Sequence, residues 1–565
     1  MVGCSTASSL VHDHPRNLTQ ILGVGKTHHN PGGGGNLASL NPRCAVAFGR
    51  KIRSALCISG GNRRRPPTPS SPDHAAADGE GGEGGEDLLS ELPDDVLLHV
   101  LARLPSAAAA ARTSILSRRW RRLWAHLPGL LFPHPADPLD RARAALAAHA
   151  APALRLLLVS ASAAADPGAA AAILSLAAPR LTGGILLGDV ASEDRKEEEE
   201  EEEGEPWARA SIELPCFEKA DLICLSLGYL GLALPPSGVF AKLTVLFLHH
   251  VSFLGPCDLG DALSSTRCPS LRTLGVSHSQ GLSNLTIRSE SLLSIYLRSL
   301  DGLQQLSVVA PMLRKLFLLF CFFGRQVRQP VADISAPVLE MLWWRDGYYP
   351  ISVHLGEMAN LQRLSSLDIM AYGPPHYPYN WDSVMLLQRF QKLQILDLVI
   401  AYPTDMVNRQ YLMEAITLLP NIEILQLHLF RRGHACGPCV FHLLRISSGI
   451  RKLKLLLYQD IKAQNTCSLG CACDEPRDWE TEELLLSSLQ EVEIYGWSGA
   501  ECEFEFLKRL LRWAAVLKAI TVTSDPSIAV SEEHCQELLG LSGPETSMMI
   551  YLYRDGAKVM YAKVG

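Results

Sequence analysis

Two groups of cysteines carry the side chains with the most chemical potential. Cys436-Gly437-Pro438-Cys439 has the spacing of a thioredoxin-like pair, in which a lowered thiol pKa makes one sulfur nucleophilic. It follows Arg432-Gly433-His434 without the tryptophan or the surrounding domain that such an activity needs. A second possibility is a metal site drawn from His434, Cys436, Cys439, Cys467, Cys471 and Cys473, since thiolates and imidazole suit zinc and the two groups meet if they fall on adjacent repeats. The plainer reading leaves the 15 cysteines as free thiols, so the expectation is no catalytic residue, no metal and no cofactor. No nucleophile elbow or His-Glu-x-x-His helix is present; Gly25-Lys26-Thr27 lacks the glycine spacing of a phosphate loop, and Gly32 to Gly35 lacks its Lys-Ser/Thr.

The informative pattern is instead an apolar one. Leu97, Val100, Leu101 and Leu104 recur at i, i+3, i+4 and i+7 and line one face of a helix. Pro93 stands at its start, where proline is tolerated, and Asp94 and Asp95 complement the positive end of its dipole. Ser106 and Ser117 are placed to cap two further short helices, the second carrying Trp120, Leu123 and Trp124 on one face. Three short helices with so many large apolar groups must bury them against the rest of the chain or a partner.

The order Leu92-Pro93-Asp94-Asp95-Val96-Leu97, then Leu104-Pro105, then Leu116-Ser117-Arg118-Arg119-Trp120-Arg121-Arg122-Leu123-Trp124 resembles an F-box nearly throughout. The resemblance implies docking to the Skp-type adaptor of a cullin-RING (SCF-type) ubiquitin ligase, with the rest of the chain capturing a target protein. The positions matching the adaptor-facing pattern are Leu92, Pro93, Leu97, Val100, Leu101, Leu104, Pro105, Ile115, Leu116 and Trp120, whereas Leu123 and Trp124 are expected to face the following domain. One departure is Ala107 to Ala111, where the family has polar or charged residues; alanine keeps the helix but removes polar contacts. A repeat-based interaction scaffold with a degenerate F-box therefore stays open as the alternative.

Beyond it, Leu154 to Val159 reads as a strand, Ala169 to Ala178 as a helix and Ile185 to Leu187 as a strand. From Leu222 a unit L-x-x-L-x-L recurs twelve times, at Leu222–Leu227, Leu243–Leu248, Leu271–Val276, Leu292–Leu297, Leu303–Val308, Leu313–Leu318, Leu339–Trp344, Leu364–Ile369, Leu393–Leu398, Ile422–Leu427, Leu453–Tyr458 and Leu489–Ile494. Its central residues Leu342, Leu367, Leu396 and Leu425 are 25, 29 and 29 apart, the period of a leucine-rich repeat. Such units stack into a parallel sheet with leucines inward and a solvent-accessible face. Trp343, Trp344, Tyr348 and Tyr349 are candidate contact anchors, some of them expected in the core.

Cys471-Ala472-Cys473-Asp474-Glu475-Pro476, Trp479 and Leu489-Gln490-Glu491-Val492-Glu493-Ile494 resemble the FBD region that follows F-box and leucine-rich repeats in a large plant family, here expected to cap the open end of the solenoid. The fold class is thus α/β: a short three-helix F-box at 87–132, an irregular leucine-rich-repeat horseshoe at 150–460 interrupted by an acidic loop at 191–206, an FBD region at 465–525 and a C-terminal cap or tail at 526–565. Residues 1–86, rich in glycine and proline, are expected to be disordered, with an organellar transit peptide or a nuclear-import signal at Arg63-Arg64-Arg65 as lesser possibilities.

Composition fits this organisation. A hydrophobic fraction of 47% with a net charge of −7 describes a globular protein without general affinity for nucleic acid. No apolar run approaches the ~18 residues of a membrane helix. An odd number of scattered cysteines and no secretory signal favour a reducing compartment, so cytoplasm or nucleus is expected.

Overall fold

The computed structural model describes residues 91–134, 139–188, 210–254, 259–322, 329–374, 380–403, 406, 408–447, 449–458, 471, 473, 484–528, 530–541, 543, 546–554 and 557–564. The N-terminal extension, the acidic loop and most of 465–483, Cys467 included, lie outside them. The described chain divides into two compact units, one ending at Leu274 and one beginning at Gly275.

The first unit starts with α1 (Asp94–Leu101), α2 (Ala107–Arg112, prolonged by a 3-10 turn at Thr113–Ile115) and α3 (Trp120–Leu123). The two serines act as the sequence predicts: Ser106 Oγ accepts from Ala109 N at 3.1 Å and Ser117 Oγ from Trp120 N at 3.4 Å. The chain then passes into β1 (Gly129–Phe132), α4 (Leu139–Ala148), β2 (Leu154–Val159), α5 (Pro167–Ala177) and β3 (Leu181–Leu187). Asp166 caps α5, accepting from Ala169 N, and Pro167 opens it. β4 (Ser211–Glu213), β5 (Leu222–Ala233), β6 (Val245–Phe253) and α6 (Leu259–Ala262) follow. β1, β2, β3, β5 and β6 pair side by side in parallel in that order. At Gly183 a Cβ would lie 2.1 Å from the Arg155 carbonyl, so the bulge between β2 and β3 requires glycine.

In the second unit, which the chain enters along β7 (Thr273–Gln280), two kinds of repeat succeed one another. In the first, each strand of a long sheet is followed by a short strand of a second sheet: β8 (Asn284–Arg288), β10 (Gln305–Val309), β12 (Val331–Ser335) and β14 (Val353–Leu355) pair in parallel in the second sheet. β9 (Ser294–Asp301), β11 (Lys315–Leu319), β13 (Met341–Arg345) and β15 (Arg363–Met370) pair in the first. From β15 onward helices take several of the return paths among the described residues, beside the small antiparallel pair β16 (Tyr372–Gly373) and β18 (Gln410–Tyr411). α7 (Trp381–Gln388) precedes β17 (Ile395–Ala401), β19 (Ile424–Phe430) leads to α8 (Gly437–Arg445), β20 (Lys452–Tyr458) continues the sheet, and β21 (Glu491–Trp497), α9 (Glu501–Trp513), β22 (Ala519–Ser524), α10 (Glu532–Gly540) and β23 (Ser547–Arg554) extend it. The ladder is parallel throughout until β24 (Ala557–Val564), which pairs antiparallel with β23.

The inward leucines of both sheets are fully buried, among them Leu285, Ile287, Leu306 and Val308 in the short sheet and Ile295, Leu297, Leu316 and Leu318 in the long one. Each of the twelve leucine units coincides with a strand, but Leu303–Val308 belongs to the short sheet rather than to the main series. Inward alternation is identical on either sheet, so leucine spacing alone does not distinguish them. The segment expected to cap the repeats instead lengthens them: β21 and β22 are ordinary members of the parallel ladder. In several units the second residue past the L-x-L strand core is left-handed, at His250, His278, Ser299, Phe320 and Gly496, which bends the chain at the same point of each.

Candidate functional site

The three N-terminal helices divide their apolar residues sharply. Leu97, Leu101, Ala110, Trp120, Leu123 and Leu127 form one buried cluster, against which Leu92, Leu98, Leu104 and Trp124 pack half-buried. Left outside are Val96, Val100, Ile115 and Leu116, with 39%, 48%, 88% and 60% of their surface exposed, along with Pro93 and Pro105. Of the ten adaptor-facing positions taken from the resemblance, Leu97, Leu101 and Trp120 therefore point into the helices' own core, and Leu92 and Leu104 are half-covered. Leu123, expected toward the following domain, is in that core too. Helical spacing identifies both stripes, Val96/Val100 and Leu97/Leu101, but not which one the small fold keeps for itself.

Polar bonds fix the surrounding geometry. Arg119 Nε donates to Asp94 Oδ1 at 2.6 Å, and its Nη2 donates to the Leu92 carbonyl, so the segment carrying Ile115 and Leu116 is tied to the start of α1. Beyond α3, buried His149 Nε2 lies 2.8 Å from the Leu127 carbonyl, and Arg180 donates to the carbonyls of His149 and Leu146 at 2.8 and 2.9 Å. Burial holds the His149 imidazole below its ordinary pKa.

A second candidate surface lies on the outer face of the long sheet. Strand register lines up Tyr296, Phe317, Trp343, Ser365, Asp397, Gln426, Lys454 and Glu493, one from each successive strand. All but Ser365, which is buried beside the bulge in β15, are the residue between two inward side chains, so alternation turns them away from the core. Three aromatic rings open the row: Tyr296 stacks on Phe317 with centroids 4.4 Å apart, and Phe317 on Trp343 at 4.0 Å. Arg363 lies over the Trp343 ring at 5.3 Å and donates to Asp397 Oδ2 at 2.8 Å, while His428 Nε2 is 3.1 Å from Asp397 Oδ1. The row ends in charge: Lys452 reaches Glu493 at 2.7 Å and Glu491 at 3.0 Å, and Lys454 lies 5.0 Å from the Tyr495 ring. Burial works against the Glu493 carboxylate, but Lys452 beside it brings its pKa below the ordinary value.

Among the aromatic anchors proposed from sequence, Trp343 sits in this row, Tyr349 is exposed, and Trp344 and Tyr348 are core. Apart from Ser365, the remaining members were readable in the central position of the L-x-L triplets, as Ile295-Tyr296-Leu297, Leu316-Phe317-Leu318 and Leu396-Asp397-Leu398 show.

The cysteines sort differently. Cys436 and Cys439 are buried, and burial pushes each thiol up to about 12, the reverse of what thiol–disulfide exchange requires. Cys439 Sγ is 3.2 Å from the Tyr402 hydroxyl. Three of the six residues considered for metal binding, His434, Cys471 and Cys473, do come together.

Comparison with known proteins bears on both surfaces. The F-box domain model matches residues 89–131, and the model for the leucine-rich repeats of "FBD-associated F-box protein At5g56370" matches residues 202–365. Similar proteins of Arabidopsis thaliana include the "Putative F-box/FBD/LRR-repeat protein At3g49030", 49% identical over 53 residues, which are 9% of this chain and 12% of that one. "F-box protein At5g03100" is 36% identical over 80 residues, 14% of this chain and 25% of that protein, and "F-box/LRR-repeat protein 25" is 46% identical over 46 residues, 8% and 18%. The chain thus spans a quarter or less of the length of these relatives. With helices and repeats where the two models place them, the chain is similar in its F-box and repeat regions to plant F-box/leucine-rich-repeat proteins, the FBD-associated F-box proteins among them.

Proposed function

We propose that this protein is the substrate-recognition subunit of an SCF-type cullin-RING ubiquitin ligase, its F-box docking a Skp-type adaptor and its repeats capturing a target protein. The observation that carries the reading is the exposed apolar set Val96, Val100, Ile115 and Leu116 on helices that otherwise bury their large apolar groups. Leaving such side chains in water is unfavourable by about 25 cal/mol per Å² and marks a surface meant for covering. Leu97, Leu101 and Trp120 support that surface from behind, while Val100, Ile115 and Leu116, flanked by Pro93 and Pro105, make the contact. The ladder from Tyr296 to Glu493 supplies a target surface with aromatic, hydrogen-bonding and charged portions in fixed order. On this reading the chain performs no chemistry; it raises the local concentration of target lysines near enzymes that transfer ubiquitin, in the cytoplasm or nucleus.

Titration of the purified protein with a plant Skp-type adaptor in a calorimeter tests this. The wild type is expected to bind with micromolar or tighter affinity, and Val100→Asp with Leu116→Asp to weaken binding at least tenfold while the circular dichroism spectrum is unchanged. Failure of the folded wild type to bind would sink the reading. The scaffold alternative has its own support, since the half-exposed side chains of α2 are Ala108, Ala109 and Ala111, which offer an adaptor neither charge nor hydrogen bonds.

A further inference from the structure

The turn after β19 holds an imidazole in a fixed orientation. Arg432 and Gly433 are both left-handed, at φ 50° and 86°, and His434 N donates to the Arg431 carbonyl at 2.9 Å, closing the turn. The His434 ring lies parallel to that of buried Tyr402, 7° between planes and 6.0 Å between centroids, and the Tyr402 hydroxyl donates to the Ala435 carbonyl at 2.9 Å. Against this imidazole the chain brings Cys471 and Cys473, both buried, from a segment 37 residues farther on. His434 Nδ1 and Cys471 Sγ are 3.5 Å apart, and the donor atoms of all three residues fall within 4.8 Å of one another.

We propose that His434, Cys471 and Cys473 bind a zinc ion that clips the segment around Cys471–Cys473 to the turn following β19. A tetrahedral zinc with Zn–S of about 2.3 Å and Zn–N of about 2.0 Å sets its N and S ligands about 3.5 Å apart and its two sulfurs about 3.8 Å apart. The observed imidazole–thiol separation is the edge of that tetrahedron, and two thiols with one imidazole are a borderline-soft set that excludes magnesium and calcium. On binding, the two thiols release their protons to solvent as thiolates and His434 coordinates through neutral Nδ1, so affinity falls as the pH is lowered. The fourth corner takes water or another donor.

The test uses the full chain purified under reducing conditions, with metal measured by plasma mass spectrometry before and after dialysis against a chelator and zinc reconstitution. About one equivalent of zinc is expected in the wild type and in Cys216→Ser, whose thiol is in the other unit, and substoichiometric zinc in His434→Ala, Cys471→Ser and Cys473→Ser. Cobalt substitution of the wild type keeps the test independent of variant folding, because a tetrahedral thiolate site gives intense visible d–d bands and a thiolate-to-cobalt charge-transfer band. Absence of zinc after reconstitution, a cobalt spectrum without thiolate charge transfer, or unchanged zinc in the three variants would overturn the proposal, as would a Cys471–Cys473 disulfide in protein handled without oxygen.

Discussion

Asp346 shows what a single residue in a repeat can contribute. Its Oδ1 accepts from Phe322 N at 3.0 Å, whereas Oδ2 is buried with no hydrogen-bond partner among the described residues, and burial raises the carboxyl to about 6 against an ordinary 3.8. The folded state thus holds its proton over a pH range where the unfolded chain has lost it, so stability declines as pH rises from about 4 to about 6 and is level above that. We expect thermal melts to show this slope and Asp346→Asn to flatten it, by at most about 3 kcal/mol. Nothing in the sequence around Asp346 announces this, since its neighbours Trp344-Arg345 read as the end of a strand and the orphaned oxygen depends on β11 beside it. Val100 and Leu101 make the same point from the other side. Both were legible as apolar residues on one helix, but which is core and which is surface is decided by Trp120 and Leu127, brought in from later in the chain.

At the scale of elements, α9 is anchored through one buried ion pair. Arg431, directly after β19, meets Glu503 in the first turn of α9, and Glu503 also accepts from Ser498 N at 2.9 Å, Gly499 N at 3.0 Å and Ser498 Oγ at 2.8 Å. The carboxylate thereby ties the Ser498–Gly499 turn to the first turn of the helix, near the positive end of its dipole, while Phe504, Phe506, Leu507, Leu510 and Trp513 bury its other face. Arg431→Ala leaves the carboxylate buried and unpaired, and a loss of about 3–5 kcal/mol in chemical denaturation is expected. Arg431→Met with Glu503→Gln is expected to recover much of it, because removing both charges removes the uncompensated one. The helical spacing of Phe504, Leu507 and Leu510 makes α9 legible in the sequence. It gave no hint of the ion pair, whose partners are 72 residues apart and joined only by stacking.

Across the whole molecule, strand order follows chain order within each unit, and every strand of the long sheet buries its leucines against the next. Stability in such an array is approximately a sum of nearest-neighbour terms. Leu427→Ala in β19 is expected to cost about 2–5 kcal/mol, with hydrogen exchange accelerated most in β17, β19 and β20 and little in β9. The order of repeats was legible because leucine spacing survives insertions. The short second sheet was not, because Asn284 to Arg288 and Val353 to Leu355 are too brief to show a period. The antiparallel β24 was missed for a different reason: its pairing with β23 lies outside the leucine pattern. That pairing bears on self-association. A parallel ladder ending at β23 would present a row of unpaired amides and carbonyls to any other copy of the same chain, and concentrated protein would polymerise edge to edge. β24 covers that row in the opposite direction, and Lys558 lies over the Tyr551 and Tyr495 rings at 4.4 and 5.5 Å, placing a charge on the outermost strand. Removing residues 557–564 is therefore expected to produce concentration-dependent oligomers in sedimentation, which makes β24 a guard of the sheet edge that β23 would otherwise expose.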